Sequence, residues 1–255
     1  MRIGVAGALG RMGAAVAELA DGLEGFELSA LCDAPGAKGE ARRRLSSRSE
    51  VLAASEVVVD FSSPSAAADL AREAAARGGP ALVIGPTGFS AEEEAMIEAA
   101  SRRIAIVKSG NFSLAVNLLA HLVETAASRL DPDAWDIEIM ETHHRGKRDA
   151  PSGTALMLGE AAARGRRGEL AKLRAPTRQG PEAVRREGEI GIASLRGGSV
   201  VGEHSVVFAG TEEILTLSHS ARDRRLFARG ALAAAAWVVG KPPGLYSMAD
   251  VLGFR

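Results

Sequence analysis

One cysteine, Cys32, is the only thiol in the 255 residues of this sequence. A lone cysteine excludes an intrachain disulfide and any cysteine-based zinc cluster. Excess charge of either sign is equally scarce, with 31 Lys and Arg against 32 Asp and Glu for a formal net charge of −1. No overall basic field is left to attract a nucleic acid. No uninterrupted apolar run approaches the roughly 20 residues of a membrane-spanning helix. The opening "MRIGVAG" enters a strand-like pattern directly, without the apolar core of a secretory signal. The expectation is a cytoplasmic protein with no nucleic-acid and no membrane partner. What is present suits a soluble enzyme: 46% hydrophobic and 25% charged residues, enough for one large core or two smaller ones.

The first half alternates short β-rich runs with alanine-rich helical stretches. "RIGVA" (2–6), "FELSALC" (26–32), "VVVDF" (57–61), "ALVIG" (81–85) and "IAIVKSG" (104–110) read as strands. Helices are expected at 11–23, 64–78 and 90–102, the last with Ser90 as N-cap, while 38–55 reads as a polar loop with one short helix. This order predicts a doubly wound parallel sheet with right-handed crossovers. From residue 113 the texture changes. A long helix (113–130), a strand "WDIEIMET" (135–142) and a helix (152–165) precede a meander over 189–221, with turns at Gly197-Gly198 and Gly210-Thr211. A last helix, "RRLFARGALAAAAWVVG", ends near Gly240 with prolines just beyond it. The fold expected is therefore α/β, a Rossmann-like parallel sheet split in sequence. Residues 1–112 and 224–255 form its dinucleotide-binding domain, and an inserted α+β domain, 113–223, serves substrate binding and oligomerisation.

"VAGALGRMG" places Gly7, Gly10 and Gly13 between the first strand and the first helix. The absent side chains permit a tight turn and close approach of a pyrophosphate, helix amides face the anion, and Arg11 adds a positive charge. Asp33 ends the second strand, placed to accept hydrogen bonds from an adenine ribose. Its charge opposes a 2′-phosphate and leans the cofactor toward NADH, although Lys38 and Arg42 to Arg44 follow closely and can serve NADPH. "GPTGF" (85–89) and "SGNFS" (109–113) sit at carboxyl ends of the fourth and fifth strands, where open α/β sheets bind ligands, and read as nicotinamide-side contacts.

"ETHHRGKRDAPSGTA" (141–155) sets two of five histidines side by side, then Arg145, Lys147 and Arg148. An imidazole can deliver a proton near physiological pH, and Lys147 is a mobile donor. "SGT" opens a helix whose amides and hydroxyls suit a carboxylate, with Pro151 fitting the first turn. Cations and helix amides together imply a small ligand with more than one negative charge. No metal is expected, since Glu141, His143 and His144 lie along one strand end whose neighbours face opposite ways. His121 reads as a core or interface histidine, His204 and His219 as structural or surface groups, and Arg145 and Arg148 as solvated.

These pieces occur in one family's order. "GALGRMG", "VVDFSSPSA", "GPTGF", "SGNFSLAVN", "ETHHRGKRDAPSGTA", "SLRGGSVVGEHSVVFAG" and "RRLFARGA" resemble the 4-hydroxy-tetrahydrodipicolinate reductases, long called dihydrodipicolinate reductases. The resemblance implies hydride transfer from NAD(P)H to C4 of a cyclic conjugated imine dicarboxylate, giving tetrahydrodipicolinate in the diaminopimelate route to lysine. It makes His143 the acid/base and Lys147 its proton-donating partner. His144, Lys147, Ser152, Gly153 and Thr154 would hold the substrate carboxylates. Gly7, Ala8, Leu9, Gly10, Arg11, Met12, Asp33, Gly85, Pro86, Thr87, Ser109, Gly110, Asn111 and Phe112 would line the dinucleotide, with Arg224 and Phe227 as further cofactor contacts. A homotetramer is implied, built by the inserted domain, as is a hinge near 112–114 and 222–226. Pro86, where relatives often carry threonine, and Ala34, where some carry arginine, depart from the family pattern. Two other readings compete: a split-domain dehydrogenase, whose thiol-dependent form would rely on Cys32, and a dinucleotide-sensing module without turnover.

Overall fold

The computed structural model describes residues 1–175, 178, 180–181 and 183–254. In chain order the elements are β1 (Arg2–Ala6), α1 (Arg11–Gly22), β2 (Glu27–Cys32), α2 (Arg48–Ala54), β3 (Val57–Asp60), α3 (Pro64–Arg77), β4 (Ala81–Ile84), α4 (Ala91–Ser101) and β5 (Ala105–Lys108). There follow α5 (Leu114–Arg129), β6 (Asp136–His143), α6 (Gly153–Gly165), α7 (Leu170–Leu173), β7 (Ile190–Arg196), β8 (Gly202–Ala209) and β9 (Ile214–Ala221). The chain closes with α8 (Arg225–Val238), β10 (Gly244–Tyr246) and α9 (Met248–Val251). It divides into two compact units, Met1–Leu114 with Arg225–Arg255, and Ala115–Arg224; within the first, Arg255 lies outside the described residues.

The first unit is a six-stranded sheet in the order β10-β5-β4-β3-β1-β2, with every pairing parallel. Strand order reverses between β1 and β3, the switch point at which such sheets open a ligand crevice. The run "VVVD" has no polar face because both faces are covered. Val57 and Val59 pack with α1 and α8, while Val58 packs with α2, α3 and α4. Helix starts follow the expected chemistry, with capping boxes at Ser47–Glu50 and Ser90–Glu93. The edge strand β10 is an element that the sequence reading did not include.

The second unit is a four-stranded sheet in the order β7-β6-β8-β9, with α5, α6 and α7 contributing to the core on one face. The expected meander over 189–221 is corrected here. β8 and β9 form an antiparallel hairpin, but β7 lies parallel to β6 on the edge away from β8. The reason is the crossover through α6 and α7, which returns the chain to the free side of β6. The Gly197-Gly198 turn then passes over the end of β6, where Gly197 N–H donates to the His143 carbonyl (2.9 Å) and Arg145 N–H to the Gly198 carbonyl (3.2 Å). β6 turns Ile137, Ile139, Glu141 and His143 inward, so the core face of the central strand becomes polar at its carboxyl end. Among the described residues, no helix is long and apolar enough to cross a membrane.

Candidate active site

In the first unit the chain leaves β1 at Gly7, whose φ of 70° lies in the left-handed region. A Cβ on Gly7 would stand 2.7 Å from the Phe61 carbonyl carbon, and one on Gly13 would overlap the Gly7 carbonyl oxygen. The loop therefore closes only with bare backbone. Gly10 caps α1 without a side-chain hydrogen bond, so no cap covers the first-turn amides, and Arg11 is exposed there. Ala8 is buried, and Leu9 and Met12 are half-buried. Asp33 anchors this loop: its two oxygens accept from the Leu9 and Ala34 amides, each at 2.7 Å.

Gly7, Gly10 and Asp33 share a cleft of about 830 Å³ with Arg48, Asp60 and Ser62. Asp60, fully buried at the end of β3, accepts from the Ser62 amide at 2.7 Å, while its other oxygen and the Ser62 hydroxyl lack partners among the described residues. Burial pushes the Asp60 carboxyl above the usual carboxylate range. Bare backbone, uncapped helix amides and unpartnered polar atoms are the features of a dinucleotide cradle. Burial also drives the Cys32 thiol up to about 11, which removes the thiolate that a semialdehyde enzyme would need.

The loops after β4 and β5 adjoin each other but lie outside that cleft's lining: a Cβ on Gly110 would come 3.3 Å from Thr87 Cγ2. Gly85 and Pro86 are half-buried and Thr87 exposed. The Ser109 hydroxyl bridges the Asn111 carbonyl and amide (2.8 and 3.1 Å), which fixes the second loop. Phe112, expected to line the cofactor, has its ring in the core, edge-on to Phe61 with centroids 5.8 Å apart. Phe227 is half-buried in α8. Arg42 and Arg43 turn to Asp21 (3.8 and 2.9 Å).

In the second unit the polar end of β6 builds a dense cluster. Glu141 is 0% exposed. Its carboxylate meets His143 Nδ1 at 2.5 Å, the Ser152 amide at 3.1 Å and both terminal nitrogens of Arg196 at 2.8 Å. Burial alone would raise this carboxyl, but hydrogen bonds from Arg196, the Ser194 hydroxyl, His143 and Ser152 hold it at about 2. Ser152 caps α6, accepting from the Ala155 amide at 3.1 Å, and its hydroxyl also meets His204 Nε2 at 3.1 Å. Burial, with the His143 charge second, pushes the His204 imidazole down to about 4. The two imidazoles stand edge to face, centroids 5.1 Å apart. Lys147 pairs with both oxygens of Asp149 at 2.9 Å, and Arg224 donates to His144 Nε2 at 3.2 Å. Gly153 is exposed and Thr154 half-buried at the mouth of α6.

Several expectations change on this geometry. Pro151 precedes the N-cap and so lies outside α6. Of the two readings of His204, structural or surface, burial leaves the first and adds it to the cluster, and of those of His121, core or interface, its exposure on α5 removes the core. Arg224, expected at the cofactor, bonds His144 in the second unit. Glu141, Arg196 and His204 were missed as site residues. Period-two alternation along β6 puts Glu141 on the face of His143 and is a signal that could have found it. The other two arrive through strand pairing, with Arg196 opposite His143 and His204 opposite Glu141.

Two family models match the chain, "Dihydrodipicolinate reductase, N-terminus" over residues 1–112 and "Dihydrodipicolinate reductase, C-terminus" over residues 115–252. The 4-hydroxy-tetrahydrodipicolinate reductase of Caulobacter vibrioides is 57% identical across all of this chain and 98% of its own length. That of Sinorhizobium medicae is 49% identical over 99% of this chain and 97% of its own. Among solved structures, the dipicolinate-bound dihydrodipicolinate reductase of Paenisporosarcina sp. TG-14 superposes with a TM-score of 0.80 over 98% of both chains at 22% identity, a likeness of fold. On matches that run the length of the sequence, the chain belongs to the dihydrodipicolinate reductase family.

Proposed function

We infer that this chain is an NAD(P)H-dependent oxidoreductase that reduces 4-hydroxy-tetrahydrodipicolinate to tetrahydrodipicolinate, in the diaminopimelate route of lysine biosynthesis. Family membership supports the reaction. The observation that carries the mechanism is the buried Glu141–His143 pair at the mouth of α6, with Lys147 on the loop between them. A sensor without turnover has no use for a buried carboxylate–imidazole pair. When bound, the reduced nicotinamide supplies the hydride, which goes to C4 of the conjugated imine ring that remains once the 4-hydroxyl has left as water. His143 supplies the proton that completes the reduction, and Lys147 is its proton-donating partner. Lys147, His144, Gly153 and Thr154 hold the two carboxylates, with Lys147 exchanging Asp149 for the ligand. Ser152, its amide on Glu141 and its hydroxyl shared between Ala155 and His204, shapes that mouth.

The dinucleotide rests on Gly7 to Met12 and Asp33, with the 85–87 and 109–112 loops, Phe227 and, on release from His144, Arg224 toward the nicotinamide side. The lean is to NADH. Asp33 presents a carboxylate where a 2′-phosphate would lie, Ala34 offers no cation, and Arg42 and Arg43 are engaged with Asp21. Residues 1–112 and 224–255 act as the dinucleotide domain and 113–223 as the substrate domain. The outward sheet face of the latter, with Met140 (45% exposed), Leu195 (60%) and Ile214 (67%), is the surface on which we place a cytoplasmic homotetramer. Following NADH and NADPH consumption with freshly generated 4-hydroxy-tetrahydrodipicolinate tests this reading. Oxidation with a higher kcat/KM for NADH supports it. Tight dinucleotide binding without oxidation would return the sensor, and equal kcat/KM values would remove the NADH lean.

A further inference from the structure

We propose that Glu141, clamped by Arg196, is a positioning residue for the reduction: it fixes the His143 ring with Nδ1–H toward the core and leaves Nε2 as the atom that exchanges the proton. The inference rests on His143 being the acid.

Four N–H groups converge on this one carboxylate. Oε1 takes Arg196 and the Ser152 amide, and Oε2 takes Arg196 and His143. A bidentate guanidinium fork and a backbone amide leave the carboxylate no rotational freedom. Such a group, fully buried and strongly acidic, stays ionised across the working range and can only accept. Nδ1 of His143 must therefore donate, whether the ring is neutral or charged, and the proton that comes and goes does so at Nε2. The surroundings of Nε2 fit this role. Gly202 lies beside it, and a Cβ there would stand 3.0 Å from the nitrogen, so the missing side chain keeps that approach open.

Arg196 has a second attachment. It also donates to the Asp149 carbonyl at 2.6 Å, which ties the carboxylate to the loop bearing Lys147. The Glu141 and Arg196 charges cancel, so the imidazolium faces a carboxylate before it donates and leaves no net negative charge in the core once its proton has gone. A glutamine at 141 would reverse the pattern. With its carbonyl taken by Arg196, its amide N–H would donate to Nδ1 and force the proton onto Nε2, as in serine proteases when the triad aspartate becomes asparagine.

The test combines histidine-selective ¹⁵N NMR with kinetics, the His143 signal being identified by its loss in H143Q. At high pH the wild-type His143 shows the Nδ1–H tautomer, and E141Q shifts it to Nε2–H. E141Q lowers kcat by about 10²-fold, with KM changed far less. E141D, which keeps the charge, recovers part of kcat and the wild-type tautomer. Should E141Q fail to fold, E141Q/R196Q strands no charge and reads the same signals. An Nε2–H tautomer in the wild type overturns the proposal without any variant. So does an E141Q enzyme with wild-type kcat and tautomer, provided H143Q has lost its rate. If H143Q itself turns over normally, it is the assignment of His143 as acid that falls.

Discussion

His204 gives the account a quantitative handle on stability. It is 4% exposed, and burial pushes its imidazole from 6.5 down to about 4. In the unfolded chain this ring takes a proton below pH 6.5; in the folded unit it does so only below about 4. Between those values the unfolded state binds more protons, so stability is fully present above pH 6.5 and falls as pH drops. One proton is worth about 1.4 kcal/mol per pH unit, which makes the loss from His204 alone about 3 kcal/mol by pH 4. The sequence has two tryptophans, Trp135 in the second unit and Trp237 in the first. In a W237F background, Trp135 fluorescence during urea unfolding reports the second unit. H204Q keeps an amide within reach of the Ser152 hydroxyl but cannot titrate. Its loss of stability between pH 6.5 and pH 4 is expected to be smaller than that of the parent by about 3 kcal/mol. Equal losses in the two proteins would refute the linkage and the buried neutral imidazole behind it.

G202A puts a methyl group 3.0 Å from His143 Nε2 and should lower kcat by about tenfold or more in steady-state assays while NADH binding is kept; an unchanged kcat would deny that Nε2 exchanges the proton. G13A drives a methyl into the Gly7 carbonyl and is expected to weaken NADH, measured by calorimetry, by about 1.4 kcal/mol or more, a tenfold loss. Wild-type affinity there would remove the pyrophosphate role of the loop. D149N frees Lys147 from a pair whose aspartate side chain is 61% exposed, an interaction worth at most about 1 kcal/mol. Binding of dipicolinate, a planar dicarboxylate, should then tighten by up to about fivefold; weaker binding would mean that Asp149 positions Lys147 rather than competing for it.

The parallel sheet was legible because strands covered on both faces read as near-continuous apolar runs, as "ALVI" does throughout and "VVVD" does up to its closing Asp60. β10 escaped because three residues after two prolines carry too little pattern to mark a strand. The pairing of β7 was misread for a different reason. Gly197-Gly198 is a turn whether the strands that it joins are neighbours or have β6 between them, and only the crossover through α6 and α7 decides. Of the site, the imidazoles, Lys147 and the helix mouth could be read from residue chemistry. Glu141 was in view along the same strand face but was weighed only as a metal ligand. Arg196 and His204 could not be found by spacing, since they reach Glu141 from 55 residues away along the chain and by a strand pairing, respectively. Phe112, a family contact position, carries its ring in the core, a placement that residue chemistry alone does not give.

The central claim is that a dicarboxylate ring held at the mouth of α6 is protonated by His143 with Lys147 beside it. Turnover of H143Q and K147A with freshly generated 4-hydroxy-tetrahydrodipicolinate, at saturating NADH, measures it directly. Each kcat should fall by roughly 10²–10⁴ with NADH affinity unchanged. A double variant that turns over at the wild-type rate would contradict the account.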